Sequence, residues 1–296
     1  MTRIQNLLLV QMKNKKLITT FAVLISLVGV FLLSLPTILH KSGLHPEYMG
    51  SSVNLPGKRA LVITTSHAVL SKPGETSGKP TGVFASEMTH PYYNFLDAGM
   101  NVDIASIKGG EIPVDPQSFM YMVRTPEDTR YLQDQVFQAK VKNSLKIDDV
   151  DMSLYDVIFM SGGWGAAYDL GQSEALASQV TQAFYSNRVP VIGGVCHGVL
   201  GLINAKDRNG KLLISGRKMT GVTDKQIKEL DIDMTPLHPE TELRKAGVQF
   251  ESQTAFRDFF ATHVTVDDER RFVTGQNQNS GHETAQNMMR ILAERK

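Results

Sequence analysis

The longest apolar run lies at the start of the chain: residues 17–39 read LITTFAVLISLVGVFLLSLPTIL without a charged residue. As a helix rising about 1.5 Å per residue, such a run spans a hydrocarbon core of about 30 Å. Beyond it the apolar runs are short and alternate with amphipathic stretches. Segments 60–65, 102–106, 155–160 and 189–193 are rich in β-branched residues, and the first three end in polar or glycine-rich loops. They read as strands buried on both faces. Between them, 86–98 reads as a helix with Ser86 as N-cap and Gly99 just past its end. Segment 173–186 reads as another, with Leu176, Val180 and Phe184 on one face. Further strand candidates lie at 217–222, 262–267 and 271–274. A last helix begins at Ser280, where Ser280 and Glu283 have the spacing of a capping box. This alternation predicts an α/β fold: a doubly wound, mostly parallel sheet with helices on both faces. The rhythm stops over 115–152, an insertion in which Leu132, Val136 and Phe137 suggest a helix. It reads either as a cap over a site or as the contact surface of a homodimer.

The ends of the long run set its expected topology. Arg3, Lys13, Lys15 and Lys16 precede it, and only Lys41 lies close behind. The positive-inside rule then keeps 1–16 in the cytoplasm, makes 17–39 a transmembrane signal-anchor and exports the remainder. Pro36 falls near the outer end, where a kink is tolerated. A cleaved signal peptide fits less well, because its apolar region usually covers about 7–15 residues before a small-x-small site. Segment 40–57, with its Gly, Pro and Ser residues, reads as a linker to a domain over 58–296. Overall, the 296 residues are 42% hydrophobic and 21% charged, with a formal net charge of +1. Nothing in that balance calls for a nucleic-acid partner. There is one Cys, which excludes an intramolecular disulfide and a Cys-based zinc site.

That Cys carries the chemistry. An apolar strand ends in Gly194-Val195-Cys196-His197-Gly198 and is followed by the apolar run Val199-Leu200-Gly201-Leu202-Ile203. This is the form of a nucleophile elbow, in which flanking glycines permit a tight strand-to-helix reversal at the carboxyl edge of the sheet. Helix-terminal N–H groups there favour the thiolate, lower the thiol pKa and can hold an oxyanion. His197 is a candidate base, although neighbouring side chains at a helix start point in different directions. By its position alone, Glu87 would be an ordinary first-turn acid.

The pattern resembles the ThiJ/PfpI superfamily, of class I glutamine-amidotransferase-like fold, and within it the stress-chaperone and glyoxalase III branch. The matching pieces are Glu87-Met88-Thr89-His90-Pro91-Tyr92 with Ala98-Gly99, and 105–110 with Asp115-Pro116-Gln117-Ser118. Tyr155-Asp156 before Gly162-Gly163, Val195-Cys196-His197-Gly198, and 273–277 complete them. They cover about 58–295. The resemblance implies Cys196 as nucleophile, His197 as its partner and Glu87 as the acid that contacts the thiol and shuttles protons. It makes Asp224 the positional candidate for orienting His197, and the backbone N–H groups of Gly163 and His197 the oxyanion donors. Two positions depart from the branch. Trp164 stands where His is frequent, implying a more apolar pocket wall, and no Pro follows Asn277.

The implied activity is conversion of small 2-oxoaldehydes to 2-hydroxy acids by thiol chemistry, with no metal or organic cofactor. Alternatives are a stress holdase acting through an apolar patch on the insertion, and a peptidase- or amidase-like hydrolase. Glutamine amidotransfer fits less well, because no His-x-Glu pair stands near the end of the chain.

Overall fold

The computed structural model describes residues 3–48, 50 and 53–295, with side chains from Met12 onward. Two compact units divide the chain, the first ending at Ser42 and the second beginning at Gly43. The first is one helix, α1 (Arg3–Lys41), unbroken at Pro36. Within it, Met12–Lys41 is long and apolar enough to cross a membrane, with a mean hydropathy of 2.5.

The second unit is built on a seven-stranded sheet. Its strands are β1 (Arg59–Thr64), β2 (Asn101–Ser106), β3 (Leu145–Lys146), β4 (Val157–Met160), β5 (Val191–Val195), β6 (Val264–Val266) and β7 (Phe272–Gly275). The spatial order is β6-β7-β5-β4-β1-β2-β3. Every pairing is parallel except β6 with β7. The core strands β4 and β5 are buried along their whole length, as continuous apolar runs with helices on both faces require. The chain leaves β1 toward β2 on one side and later fills β4 and β5 on the other. The crevice beside the carboxyl ends of β1, β4 and β5 is therefore the topological switch point, where such sheets place their ligands.

Around the sheet lie α2 (Ala85–Asp97), α3 (Pro126–Tyr131), α4 (Gln135–Lys142), α5 (Glu174–Phe184), α6 (Asp224–Glu229), α7 (Pro239–Lys245) and α8 (Gly281–Glu294). Ser173 caps α5, accepting from the Leu176 N–H. Two expected caps do not form. The N-cap of α2 is Phe84, and Ser86 lies inside the helix with its hydroxyl buried. Ser280 does precede α8, but its hydroxyl donates to the His263 carbonyl at 3.0 Å, so no capping box closes with Glu283. In each case a tertiary position outweighs the local motif.

Three other expectations change. The 40–57 segment is not a free linker: Leu44, His45 and Leu55 are buried. The His45 N–H donates to Asn279 Oδ1 and the Leu55 N–H to the Ala98 carbonyl. Apolar burial therefore begins upstream of β1. Of 217–222, only Lys218–Met219 is strand, paired with Gln249–Phe250 outside the main sheet. The insertion does not wholly interrupt the rhythm either, since it contributes edge strand β3 beside β2. Its α4 packs through Phe137 and Val141, whereas Leu132 and Val136 are exposed. Phe137 stacks on Tyr92 of α2, ring centroids 3.5 Å apart, and this aromatic contact seats the insertion on the domain.

Candidate active site

Cys196 follows β5 directly, with φ of 56°, a left-handed conformation that few non-glycine residues adopt. The apolar run after it is not an α-helix but a tighter 3-10 segment, Cys196–Leu202. The glycines that flank the elbow have a steric reason. A Cβ on Gly194 or on Gly198 would run into the Met160 carbonyl oxygen of the neighbouring strand β4. Opposite, Gly163 at φ 96° lets the loop after β4 pass against the backbone of Gly82–Phe84.

This turn brings three side chains together. Glu87, in the first turn of α2, accepts a hydrogen bond from the Gly162 N–H at 3.0 Å and is hydrogen-bonded to the Cys196 thiol. His197 Nδ1 lies 3.4 Å from Cys196 Sγ. Adjacent side chains do meet here, because the left-handed backbone at Cys196 turns the sulfur back over the next residue. The backbone N–H groups of His197 and Gly163 lie close enough to the sulfur to favour its charged form.

Burial dominates the electrostatics. It raises the Glu87 pKa to about 8, against the opposing hydrogen bonds from Cys196 and Gly162, so the carboxyl keeps its proton at neutral pH. Burial, then the charge of Glu87, pushes the thiol well above its ordinary value. The two backbone N–H groups act in the expected, lowering direction but are outweighed, so the resting group is a thiol. His197 is lowered to about 3 by burial and by nearby His238, and is neutral. Its Nε2 is buried without a hydrogen-bond partner.

Asp224 does not supply that partner. It opens α6, where its Oδ2 accepts from Thr241 Oγ1 at 2.7 Å and its N–H donates to Glu240. It ties α6 to α7 rather than orienting His197. Two residues later Gln226 faces the cavity instead. Its side chain accepts from Asn277 Nδ2 at 3.0 Å, and Asn277 also reaches the carbonyls of Asp258 and Ala261. Asn277 thus holds the closing loop without a following Pro.

The cavity at Cys196 measures about 250 Å³. Trp164 forms part of its wall, as expected, and Gln117, Met120 and Val123 bring the insertion over it as a cap. Val222, Leu230, Ile232 and Phe259, none of them a candidate by sequence, line the other side. The apolar spacing of Ile227, Leu230 and Ile232 was their only signal, and it looks like ordinary core.

A parallel sheet with a cysteine elbow at its switch point, backed by a buried acid from α2, defines the class. A family model described as the DJ-1/PfpI family matches residues 80–290, and the chain belongs to that family. Among its relatives, glyoxalase 3 of Candida albicans is 30% identical, over 72% of this chain and 91% of that protein. The glutathione-independent glyoxalase HSP31 of Saccharomyces cerevisiae is 28% identical, over 78% and 95%. Two solved structures share the fold. The Francisella tularensis rapid encystment protein of 24 kDa aligns with a TM-score of 0.71 at 34% identity, covering 79% of this chain and 99% of that one. Glyoxalase III of Candida albicans aligns at 0.65 and 27%, covering 79% and 97%.

Proposed function

We propose that the domain is a glutathione-independent glyoxalase that converts 2-oxoaldehydes to 2-hydroxy acids through Cys196, in a stress-protective role and without a cofactor. One observation carries this reading: the Glu87 carboxyl and two backbone N–H groups converge on a single buried sulfur. The relatives named as glyoxalases support it. In the proposed cycle the thiol gives up its proton and sulfur adds to the aldehyde carbon, forming a hemithioacetal. A proton then leaves that carbon and is delivered to the adjacent ketone carbon, which becomes the alcohol. Water cleaves the resulting thioester, releasing the 2-hydroxy acid and restoring the thiol. One water is consumed, and one carbon is oxidised as its neighbour is reduced, so no external oxidant is needed.

Glu87 suits the proton transfers because its pKa, about 8, lies close to working pH. Neutral His197, lowered to about 3, accompanies it as a hydrogen-bonding neighbour of the sulfur rather than as a base, and the Gly163 and His197 N–H groups stabilise charge on sulfur and then on the adduct oxygen beside it. A cavity of about 250 Å³ beneath a cap favours a small carbonyl compound over a peptide. The test is lactate formation from methylglyoxal by the full chain without glutathione. Cys196→Ala should abolish it, and undiminished turnover in that variant would overturn the reading.

A second reading, holdase activity, draws on exposed Met120, Tyr121, Leu132 and Val136 on the insertion. It predicts suppression of client aggregation that survives Cys196→Ala and is lost when those four residues become polar. For α1 we propose a membrane anchor with the N-terminus cytoplasmic, supported by its length, its hydropathy and the basic residues before residue 17.

A further inference from the structure

The helix that supplies Glu87 supplies His90 one turn later, and the two side chains go to different places. Glu87 meets Cys196, whereas His90 meets Glu127 of α3 and His282 of α8. His90 is 1% exposed, yet neither of its ring nitrogens has a hydrogen-bond partner. Leaving such a group unsatisfied in the interior is costly, and native structures rarely do so without a reason.

The geometry around it points to a ligand. His90 Nε2 lies 3.6 Å from Glu127 Oε2, and His282 Nε2 lies 3.6 Å from the same oxygen. Both separations exceed a normal N–H···O hydrogen bond. The three ligand atoms all lie within 4.8 Å of one another. A tetrahedral zinc ion, bound at about 2.0–2.2 Å, holds its ligand atoms roughly 3.3 Å apart. The His90 and His282 rings stack with centroids 3.9 Å apart and planes 20° apart, and each presents Nε2 to the same Glu127 oxygen. His282 and Glu127 are each partly exposed, which gives an ion a way in and His282 room to turn. On its far side, His282 Nδ1 accepts a hydrogen bond from the Asn94 amide nitrogen at 2.8 Å, and Asn94 Oδ1 takes one from Gln286. Binding a cation through His282 Nε2 therefore displaces the proton from that nitrogen to Nδ1, with the Asn94 amide turning over to accept from it, the outer contact that orients a ligating imidazole.

We propose that His90 Nε2, His282 Nε2 and Glu127 Oε2 bind one zinc-class divalent cation, with water completing the shell, at a site separate from Cys196. The donor set, two imidazoles and a carboxylate, suits zinc better than magnesium or calcium, which prefer all-oxygen shells. Because the ligands come from α2, the insertion and the last helix, the ion clamps the cap onto the helix that carries Glu87. No single stretch of sequence contains this site.

The experiment uses the full chain in non-ionic detergent, stripped with EDTA and dialysed, then titrated with Zn²⁺ against a chromophoric chelator. Co²⁺ uptake is followed by its visible absorption. Wild type and Cys196→Ala should each take up one ion with a tetrahedral Co²⁺ spectrum. Glu127→Gln and His282→Asn, checked for folding by circular dichroism, should bind about 100-fold more weakly or worse, since even outer contacts to metal ligands are worth about 10–100-fold. Absence of one-to-one uptake by wild type would overturn the proposal. So would unchanged affinity in both folded ligand variants, or loss of uptake in Cys196→Ala, which would move the ion to the cysteine.

Discussion

Replacing Glu87 with Gln changes the pH dependence of stability in a direction that the structure dictates. In the unfolded chain the carboxyl titrates at its ordinary 4.5, and in the folded domain burial raises it to about 8. Between those values the folded state binds one proton more than the unfolded state, so stability falls as pH rises through the window. Below 4.5 both states are protonated and there is no loss; above about 8 both are ionised and the loss is complete. At about 1.4 kcal/mol per pH unit, the full loss is about 5 kcal/mol. Gln is isosteric, accepts from Gly162 and carries no titrating proton. His197, lowered to about 3, costs stability as pH falls below its unfolded value of 6.5, but it does so equally in both proteins and cancels in the difference. Urea unfolding of the full chain in detergent, from pH 4.5 to 8, is the assay. The variant should match wild type at the acid end and exceed it by about 3–5 kcal/mol at pH 8, while losing turnover. Parallel curves, or a variant less stable at pH 8, would refute the buried, proton-holding carboxyl.

Three further outcomes follow from the same geometry. Gly198→Ala forces a Cβ onto the Met160 carbonyl and should cost about 2–4 kcal/mol, with loss of activity, measured by urea unfolding and turnover. Alkylation of Cys196 by iodoacetamide, followed by intact mass, should be slow at pH 7 and accelerate with rising pH, because the buried group is a thiol; rapid labelling at pH 6 would contradict it. Phe137→Ala removes the aromatic contact seating the insertion on Tyr92 and should cost about 3–5 kcal/mol, with protease cleavage appearing first in residues 115–152.

Much of the fold was legible in the chain because a parallel sheet writes itself as short apolar runs. The elements β1, β2, β4, β5 and α5 fall where those runs lie. What failed were local motifs overridden by tertiary position: Ser86 and Ser280 had cap chemistry, but neither side chain caps its helix. Within the site, the glycines around Cys196 were readable, since a close backbone approach leaves only Gly acceptable. Glu87 was not readable from position alone and came from the family resemblance, because its partner lies far along the chain. Asp224 fails for the same reason in reverse: adjacency in a motif says nothing about whether its carboxyl reaches His197 or, as it does, Thr241. His90, Glu127 and His282 sit on three separate elements, and only folding brings them to one point.

In the proposed cycle carbonyl chemistry passes through sulfur. Its most direct measurement is mass spectrometry of the full chain, acid-quenched during turnover of methylglyoxal without glutathione. A lactoyl thioester should appear on the peptide containing Cys196, be absent from Cys196→Ala and be diminished in Glu87→Gln. Lactate accumulating while Cys196 stays unmodified, or accumulating equally with Cys196→Ala, would contradict it.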